Sequence, residues 1–151
     1  MISPSERQSG QMEANPLPVT KTVVLVDDED LVRRLVSRVL EREGYRVIPF
    51  TTAEDGLAAL SNGEKVDLLL TDVTLPGMNG VDLARRALEQ RRDLKLICMS
   101  GSGEEDLVTD LLAREADAAA FISKPFSIVE LVETVNRILD TTPGPYLAAG
   151  A

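Results

Sequence analysis

Five short apolar runs, each followed by a helical pattern, constrain the fold of this chain more than any other feature. Each run holds four to six apolar residues with little polar alternation. Such runs are typical of strands that are buried on both faces of a parallel sheet. The runs are TVVLV (22–26), YRVIPF (45–50), VDLLLT (66–71), LKLICM (94–99) and AAAFIS (118–123).

Helix signals fill the intervals between the runs. A Ser or Thr placed three residues before an acidic residue is typical of a helix start. The pairs with this spacing are Thr52–Asp55, Ser102–Glu105 and Ser127–Glu130. A further helix start is predicted near Asn79 and Gly80. The predicted apolar stripes are Leu31, Val32, Leu35, Val36, Val39 and Leu40 in the first helix and Val129, Val132, Val135, Ile138 and Leu139 in the last.

Five strand–helix units predict an α/β fold with a doubly wound, five-stranded parallel sheet and helices on both faces. We expect this domain to span residues 22–140. Residues 1–21 are rich in Ser, Pro, Gln and Asn and are predicted to form a flexible arm, and residues 141–151 a flexible tail. In such a sheet, ligands bind beyond the carboxyl ends of the strands.

Composition excludes several classes of function. The net charge of −9 argues against nucleic acid and anionic membranes as partners, because phosphate groups repel such a surface. A single Cys allows no disulfide within the chain, and neither a signal peptide nor a membrane span is evident, so we expect a cytoplasmic location. The absence of His excludes a role as a phosphohistidine donor.

Charged and polar residues gather where the predicted strands end. Asp27 and Asp28 follow the first run, Asp72 follows the third, and Ser100 and Lys124 follow the fourth and fifth. Carboxylates crowded at one edge of a sheet repel each other, and a divalent cation removes that conflict. Ligands that are all oxygen indicate Mg²⁺, with Mn²⁺ as an alternative.

A lysine facing these carboxylates suggests that a further anion binds there, and a phosphoryl group is suitable. Lys124 would balance the charge on its oxygens, and the Ser100 hydroxyl would donate a hydrogen bond to one of them. Asp72 is then the predicted nucleophile, which accepts the group as an acyl phosphate. The Leu run before Asp72 would hold it rigidly, and the turn at Pro76 and Gly77 would keep it open to a donor.

Four segments in register, VVLVDDED, LLLTDVTLPGMNG, ICMSGSG and FISKPF, resemble the response-regulator receiver domain of two-component signalling over residues 22–140. The resemblance implies a flavodoxin-like (βα)5 fold with strand order 2-1-3-4-5. The roles that it implies are Asp72 as phospho-acceptor, Asp28 as direct Mg²⁺ ligand, Asp27 as a ligand through water, Thr74 as a ligand through its backbone carbonyl, Ser100 and Phe121 as switch residues, and Lys124 before a cis peptide to Pro125.

The resemblance also implies partners. The donor would be a histidine kinase or a histidine phosphotransfer protein that contacts the first helix and the loop after the fifth strand, with Leu31, Arg34 and Pro125 as contacts. A downstream protein would bind the fourth helix, fifth strand and fifth helix, and a homodimer could form there. In the family that the chain resembles, the positions matched by Thr74 and Ser102 tune the lifetime of the phosphoryl group. No enzymatic activity is expected beyond the domain's own phosphorylation and dephosphorylation.

Several alternatives stay open at this point. Because only eleven residues follow Asp140, the chain is expected to be either a stand-alone regulator or the receiver module of a hybrid histidine kinase that acts as a phosphorelay intermediate or phosphate sink. A phosphatase of the haloacid-dehalogenase type also uses a strand-end Asp, but Thr74 stands where that class carries its second acid. A flavodoxin-like flavin carrier is disfavoured because DDED replaces its phosphate loop.

Overall fold

The structure, a computed structural model, describes residues 20–101, 103, 105–115 and 117–141. Within them, five strands form one parallel sheet in the order β2-β1-β3-β4-β5, as predicted. The strands are β1 (Thr22–Val26), β2 (Arg46–Phe50), β3 (Leu68–Asp72), β4 (Lys95–Ser100) and β5 (Ala119–Ser123). The helices are α1 (Asp30–Arg42), α2 (Ala53–Ser61), α3 (Gly80–Gln90), α4 (Glu105–Arg114) and α5 (Ile128–Leu139).

Parts of the predictions fall outside the described residues. These parts are nearly all of the predicted arm and tail, residues 1–19 and 142–151, and Ser102, which is both a predicted helix start and a predicted lifetime position. No helix of the described residues has the length and apolar character that crossing a membrane requires.

The sheet separates two hydrophobic cores, which explains the unbroken apolar runs. Side chains of a strand alternate between faces, so Leu69 packs with residues of α2, α3 and α4, whereas Leu68 and Leu70 pack with residues of α1 and α5. All five residues of β1 and of β3 are buried. Central strands covered on both sides cannot carry a polar alternation, because each polar side chain would lose its water without gaining a partner.

The helix starts follow from local side-chain caps. Thr52 accepts a hydrogen bond from the Asp55 N–H at 3.1 Å, and Ser127 accepts one from the Glu130 N–H at 3.0 Å, which confirms two predicted starts. Asn79 caps α3 in the same way through the Asp82 N–H at 2.9 Å. Each cap satisfies a backbone donor that the first turn leaves free.

The predicted apolar stripes of α1 and α5 were too long. Leu31 is 80% exposed, Leu35 is 49% exposed and Val129 is 51% exposed, although all three fit the helical spacing. They lie in the N-terminal turns of their helices, each of which follows its strand at the carboxyl edge of the sheet. The stripe residues that the structure buries are Val36, Val39 and Leu40 in α1 and Val132, Val135 and Leu139 in α5.

β1 matches its predicted run, but the boundaries of the other four strands differ from theirs by one or two residues, and the difference bears on function. β3 runs from Leu68 to Asp72 and β4 ends at Ser100. Both polar residues are therefore the last members of hydrogen-bonded strands, with Asp72 opposite Met99 and Ser100 opposite Ser123 in the register. A strand residue is held more rigidly than the first residue of a loop, so the sheet itself positions these two side chains.

Candidate functional site

Three residues that lie far apart in the sequence meet at the carboxyl edge of the sheet. Asp27 follows β1, Asp72 ends β3 and Lys124 follows β5. The Lys124 ammonium lies 2.8 Å from Asp72 Oδ2 and 3.1 Å from Asp27 Oδ2. Because β1 and β3 are neighbours and β5 lies two strands from β3, only a long side chain can join these ends of the sheet.

Backbone donors orient both aspartates. Asp72 Oδ1 accepts a hydrogen bond from the Thr74 N–H at 3.1 Å, and Asp27 Oδ1 accepts one from the Glu29 N–H at 2.8 Å. Both aspartates are buried, and the Lys124 side chain is only 18% exposed. Each carboxylate thus has one oxygen fixed by the backbone and one facing the ammonium group, which leaves little freedom of rotation.

Glu29 completes the acidic group, and sequence reasoning missed it. Its Oε1 lies 3.2 Å from the Lys124 ammonium, and carboxylate oxygens of Asp27, Glu29 and Asp72 all lie within 4.8 Å of one another. Asp28, predicted to be the direct metal ligand, is exposed and does not belong to this group in the described part of the chain. The only signal for Glu29 was that it is the third acid of DDED.

The environment changes the acidity of the two side chains at the centre. Burial raises the pKa of Asp27 above its ordinary value, although the Glu29 N–H and the Lys124 charge oppose the change. Burial would lower the pKa of Lys124, but the hydrogen bond from Lys124 to Asp72 and the charge of Asp27 outweigh it and raise that pKa. Lys124 is therefore a permanent cation at this site.

The raised pKa of Asp27 predicts that Asp27→Asn stabilises the fold at neutral pH. A raised pKa means that the folded state binds the carboxyl proton more tightly than the unfolded state does. This favours folding fully below about pH 3.8, and the benefit is lost as the pH rises through the folded-state pKa. Asn keeps the oxygen that accepts from Glu29 but carries no charge. Without Mg²⁺ at pH 7, we expect the free energy of unfolding to rise, because the variant no longer buries an ionised carboxylate at this position.

Urea unfolding at several pH values measures this effect. The difference in free energy of unfolding between Asp27→Asn and wild type should shrink as the pH falls towards 4. Wild-type Asp27 is then protonated and, like Asn, carries no charge. Asp93→Asn is the matched control, since Asp93 is exposed. A gain that is independent of pH, or equal in the control, would contradict the expected cause.

Ser100 ends β4, and Phe121 lies within the neighbouring strand β5. Ser100 is fully buried, and its Oγ has no hydrogen-bond partner among the described residues. A buried hydroxyl without a partner costs free energy, and a nearby acceptor would relieve that cost. Phe121 is half-buried, pairs with Cys98 in the register and packs against the core on the α2–α4 side. Burial raises the pKa of Cys98 to about 12, which leaves its thiol unreactive.

The loop after Asp72 depends on glycine at two positions. Gly77 has φ +77°, so the turn after Pro76 uses a conformation that other residues rarely adopt. A Cβ at Gly80 would lie 1.9 Å from the backbone oxygen of Asp72, and the Gly80 N–H donates to the Val73 carbonyl at 2.9 Å. The start of α3 is thus packed directly against the backbone that carries Asp72.

The loop after β5 begins with a cis peptide between Lys124 and Pro125. Pro125 is exposed, as are Leu31 and Arg34 of α1, the three residues predicted to contact a donor. Large exposed apolar residues of the described chain occur in α1 and in α5, the helix that follows this loop. They are Leu31 and Leu35 in α1 and Ile128 and Val129 in α5.

The donor set fits a divalent cation. Three carboxylates face one ammonium group, so the cluster retains a charge of about −2 when all are ionised. All three acids offer oxygen, the ligand type that Mg²⁺ prefers, and the exposure of Glu29 leaves one side open to water. The site therefore matches the charge and ligand chemistry of Mg²⁺.

Residues 23–136 match the family described as the response regulator receiver domain. The chain is 35% identical to the response regulator receiver protein CpdR of Brucella abortus, covering 79% of this chain and 97% of that protein. It is 36% identical to the phosphate regulon transcriptional regulatory protein PhoB of Pseudomonas aeruginosa over 84% of this chain, but spans only 55% of that protein.

Structural comparison agrees with these sequence matches. A CheY-like response regulator receiver domain protein from Methanospirillum hungatei superposes with a TM-score of 0.72 at 35% identity. The match covers 81% of this chain and 95% of that one. Among multidomain relatives, the chain is 35% identical to the sensor kinase CckA of Brucella abortus but covers only 13% of it.

Proposed function

Because this chain belongs to the response regulator receiver domain family, a family of two-component signalling, we propose that Asp72 accepts a phosphoryl group from a phosphohistidine donor in a step that requires Mg²⁺. The observation that carries this proposal is the contact of 2.8 Å between Asp72 and Lys124, with Asp72 fixed by the Thr74 N–H. A buried, oriented carboxylate beside a permanent cation is suited to attack an electrophile that carries negative charge.

The transfer conserves atoms and electrons. An oxygen of Asp72 forms a bond to phosphorus, and the bond between phosphorus and the donor imidazole nitrogen breaks, with its electron pair passing to that nitrogen. Lys124 then donates to a phosphoryl oxygen and stabilises its charge. When bound, Mg²⁺ supplies further neutralisation of phosphoryl charge. Asp72, Asp28 and the Thr74 carbonyl are proposed to hold it directly, and Asp27 through water.

Ser100 and Phe121 are proposed to transmit the change. The phosphoryl oxygens supply the acceptor that the buried Ser100 hydroxyl lacks among the described residues. Movement of Ser100 would open space for Phe121, whose ring is half-buried at the side of α4. The face formed by α4, β5 and α5 would then bind a downstream protein or a second copy of the chain. Roughly two added negative charges bias this two-state element.

The donor is proposed to be a histidine kinase or a histidine phosphotransfer protein, docked on α1 and the loop after β5. Leu31, Leu35, Ile128 and Val129 are exposed apolar side chains in these elements, and Arg34 and Pro125 are exposed as well. Exposed apolar residues of this kind suit a protein contact. The chain would act in the cytoplasm and catalyse only its own phosphorylation and dephosphorylation. The same step would serve a stand-alone regulator or the receiver module of a hybrid histidine kinase.

Intact mass spectrometry with a small acyl phosphate tests the proposal. With Mg²⁺ present, wild type should gain the mass of one phosphoryl group within minutes. With EDTA in place of Mg²⁺, we expect the rate of phosphoryl uptake to fall by at least about 100-fold, because several kcal/mol of charge stabilisation are lost. Uptake that proceeds equally well in EDTA would show that the carboxylate cluster does not act through a metal ion.

A further inference from the structure

The Lys124 ammonium group is saturated in this structure. It has three N–H donors, and three carboxylates lie within hydrogen-bond distance: Asp72 at 2.8 Å, Asp27 at 3.1 Å and Glu29 at 3.2 Å. A phosphoryl oxygen can accept a hydrogen bond from Lys124 only if one of these contacts is given up. The identity of the released carboxylate then affects how readily the donor is bound.

Glu29 is the partner that is held least firmly. Asp27 is fully buried and the Asp72 side chain is 8% exposed, whereas the Glu29 side chain is 61% exposed. Asp27 and Asp72 are also fixed by backbone N–H donors. A carboxylate in contact with water regains hydration when it leaves, so releasing Glu29 costs the least free energy.

We propose that Glu29 is a positioning residue that holds Lys124 between phosphorylation events and competes with the phosphoryl group for its third N–H. This inference rests on the proposed function of Asp72. As the donor's phosphoryl group enters the site, one Lys124 N–H moves from Glu29 Oε1 to a phosphoryl oxygen. The Asp72–phosphorus bond then forms while the donor's leaving group departs with its electron pair. No proton is transferred, and the displaced Glu29 carboxylate passes into solvent.

Three variants separate this contact from a general effect of charge. Glu29→Gln removes the charge, and Glu29→Asp keeps the charge but shortens the side chain, so that it no longer reaches Lys124. Asp30→Asn is the matched control, because it removes a charge at the next position from an exposed carboxylate that is paired with Arg33. None of the changes removes a side-chain helix cap, since the Glu29 side chain makes no cap hydrogen bond.

The measurement is the rate of phosphoryl uptake from acetyl phosphate, by intact mass, at saturating Mg²⁺ and increasing donor concentration. In Glu29→Gln and Glu29→Asp we expect the half-saturating donor concentration to fall about two- to fivefold, the range that an exposed ion pair supports. The maximal rate should change less, because the competition acts on donor binding. Thermal unfolding of each variant confirms that the fold is retained.

Each outcome decides the question. A lower half-saturating donor concentration in both Glu29 variants, but not in Asp30→Asn, supports competition for Lys124. Equal falls in Glu29→Gln and Asp30→Asn, with Glu29→Asp like wild type, would assign the effect to charge at a distance and overturn the inference. No change in any variant would also overturn it. Wild type that takes up no phosphoryl group would instead overturn the proposed function, and the inference with it.

Discussion

Asp72→Asn should take up no phosphoryl group from an acyl phosphate under conditions in which wild type is fully modified. The carboxamide is not a nucleophile at neutral pH, so the bond to phosphorus cannot form at this position. Asn has nearly the same shape, and its oxygen can still accept from Lys124 or the Thr74 N–H, so the fold should survive. Intact mass spectrometry in Mg²⁺ measures the loss directly.

Asp93→Asn provides the matched control for this experiment. It makes the same chemical change at an exposed aspartate in the turn between α3 and β4. The control should take up one phosphoryl group at the wild-type rate. Uptake by Asp72→Asn that equals the control in rate and extent would exclude Asp72 as the acceptor, whatever its position in the site.

Gly80→Ala should lower the free energy of unfolding by about 3 kcal/mol or more. The added Cβ would lie 1.9 Å from the Asp72 backbone oxygen and 3.0 Å from the Val73 Cα, so backbone must move to admit it. Displacement of α3 would also strain the hydrogen bond from the Gly80 N–H to the Val73 carbonyl. Urea unfolding, followed by far-ultraviolet circular dichroism, measures the change.

Gly63→Ala separates this contact from the general cost of replacing glycine. Gly63 has φ +86°, but a Cβ there meets no atom within 4 Å. Its replacement should cost only the left-handed backbone conformation, about 1 kcal/mol. Equal losses in the free energy of unfolding at the two positions would show that α3 can move away from β3 without cost. The close packing behind Asp72 would then not contribute to stability.

The sheet and the position of Asp72 could be predicted from sequence because they depend on burial alone. Central strands covered on both faces must be apolar throughout, so an acid after LLLT marks the end of the strand. Asp72, Asp27 and Lys124 met as expected, since parallel strands bring their carboxyl ends to one edge.

The composition of the acidic group could not be predicted in the same way. Asp27, Asp28 and Glu29 are consecutive, and which side chains reach Lys124 depends on the backbone angles between β1 and α1. In the structure Glu29 is in β conformation before the helix begins and reaches Lys124, while Asp28 is exposed. Because the three acids are consecutive, their positions in the sequence do not show which of them the turn between β1 and α1 directs towards Lys124.

The overlong apolar stripes of α1 and α5 have a related cause. Helical periodicity shows which face of a helix is apolar, but not how far the neighbouring sheet extends beneath it. Leu31 and Val129 fit the period and are nevertheless exposed, because they lie in first turns at the edge of the sheet. Exposed apolar residues on a helical stripe next to a functional site therefore indicate an interaction surface as readily as a core.

Chemical mapping of the phosphoryl group tests the central claim most directly. Wild type is phosphorylated with an acyl phosphate in Mg²⁺ and reduced with sodium borohydride, which converts an aspartyl phosphate to homoserine, and its peptides are sequenced by mass spectrometry. We predict homoserine in place of Asp72, with Asp27 and Asp28 unchanged. Homoserine at another acidic position, with Asp72 intact, would contradict the assignment of Asp72 as the acceptor.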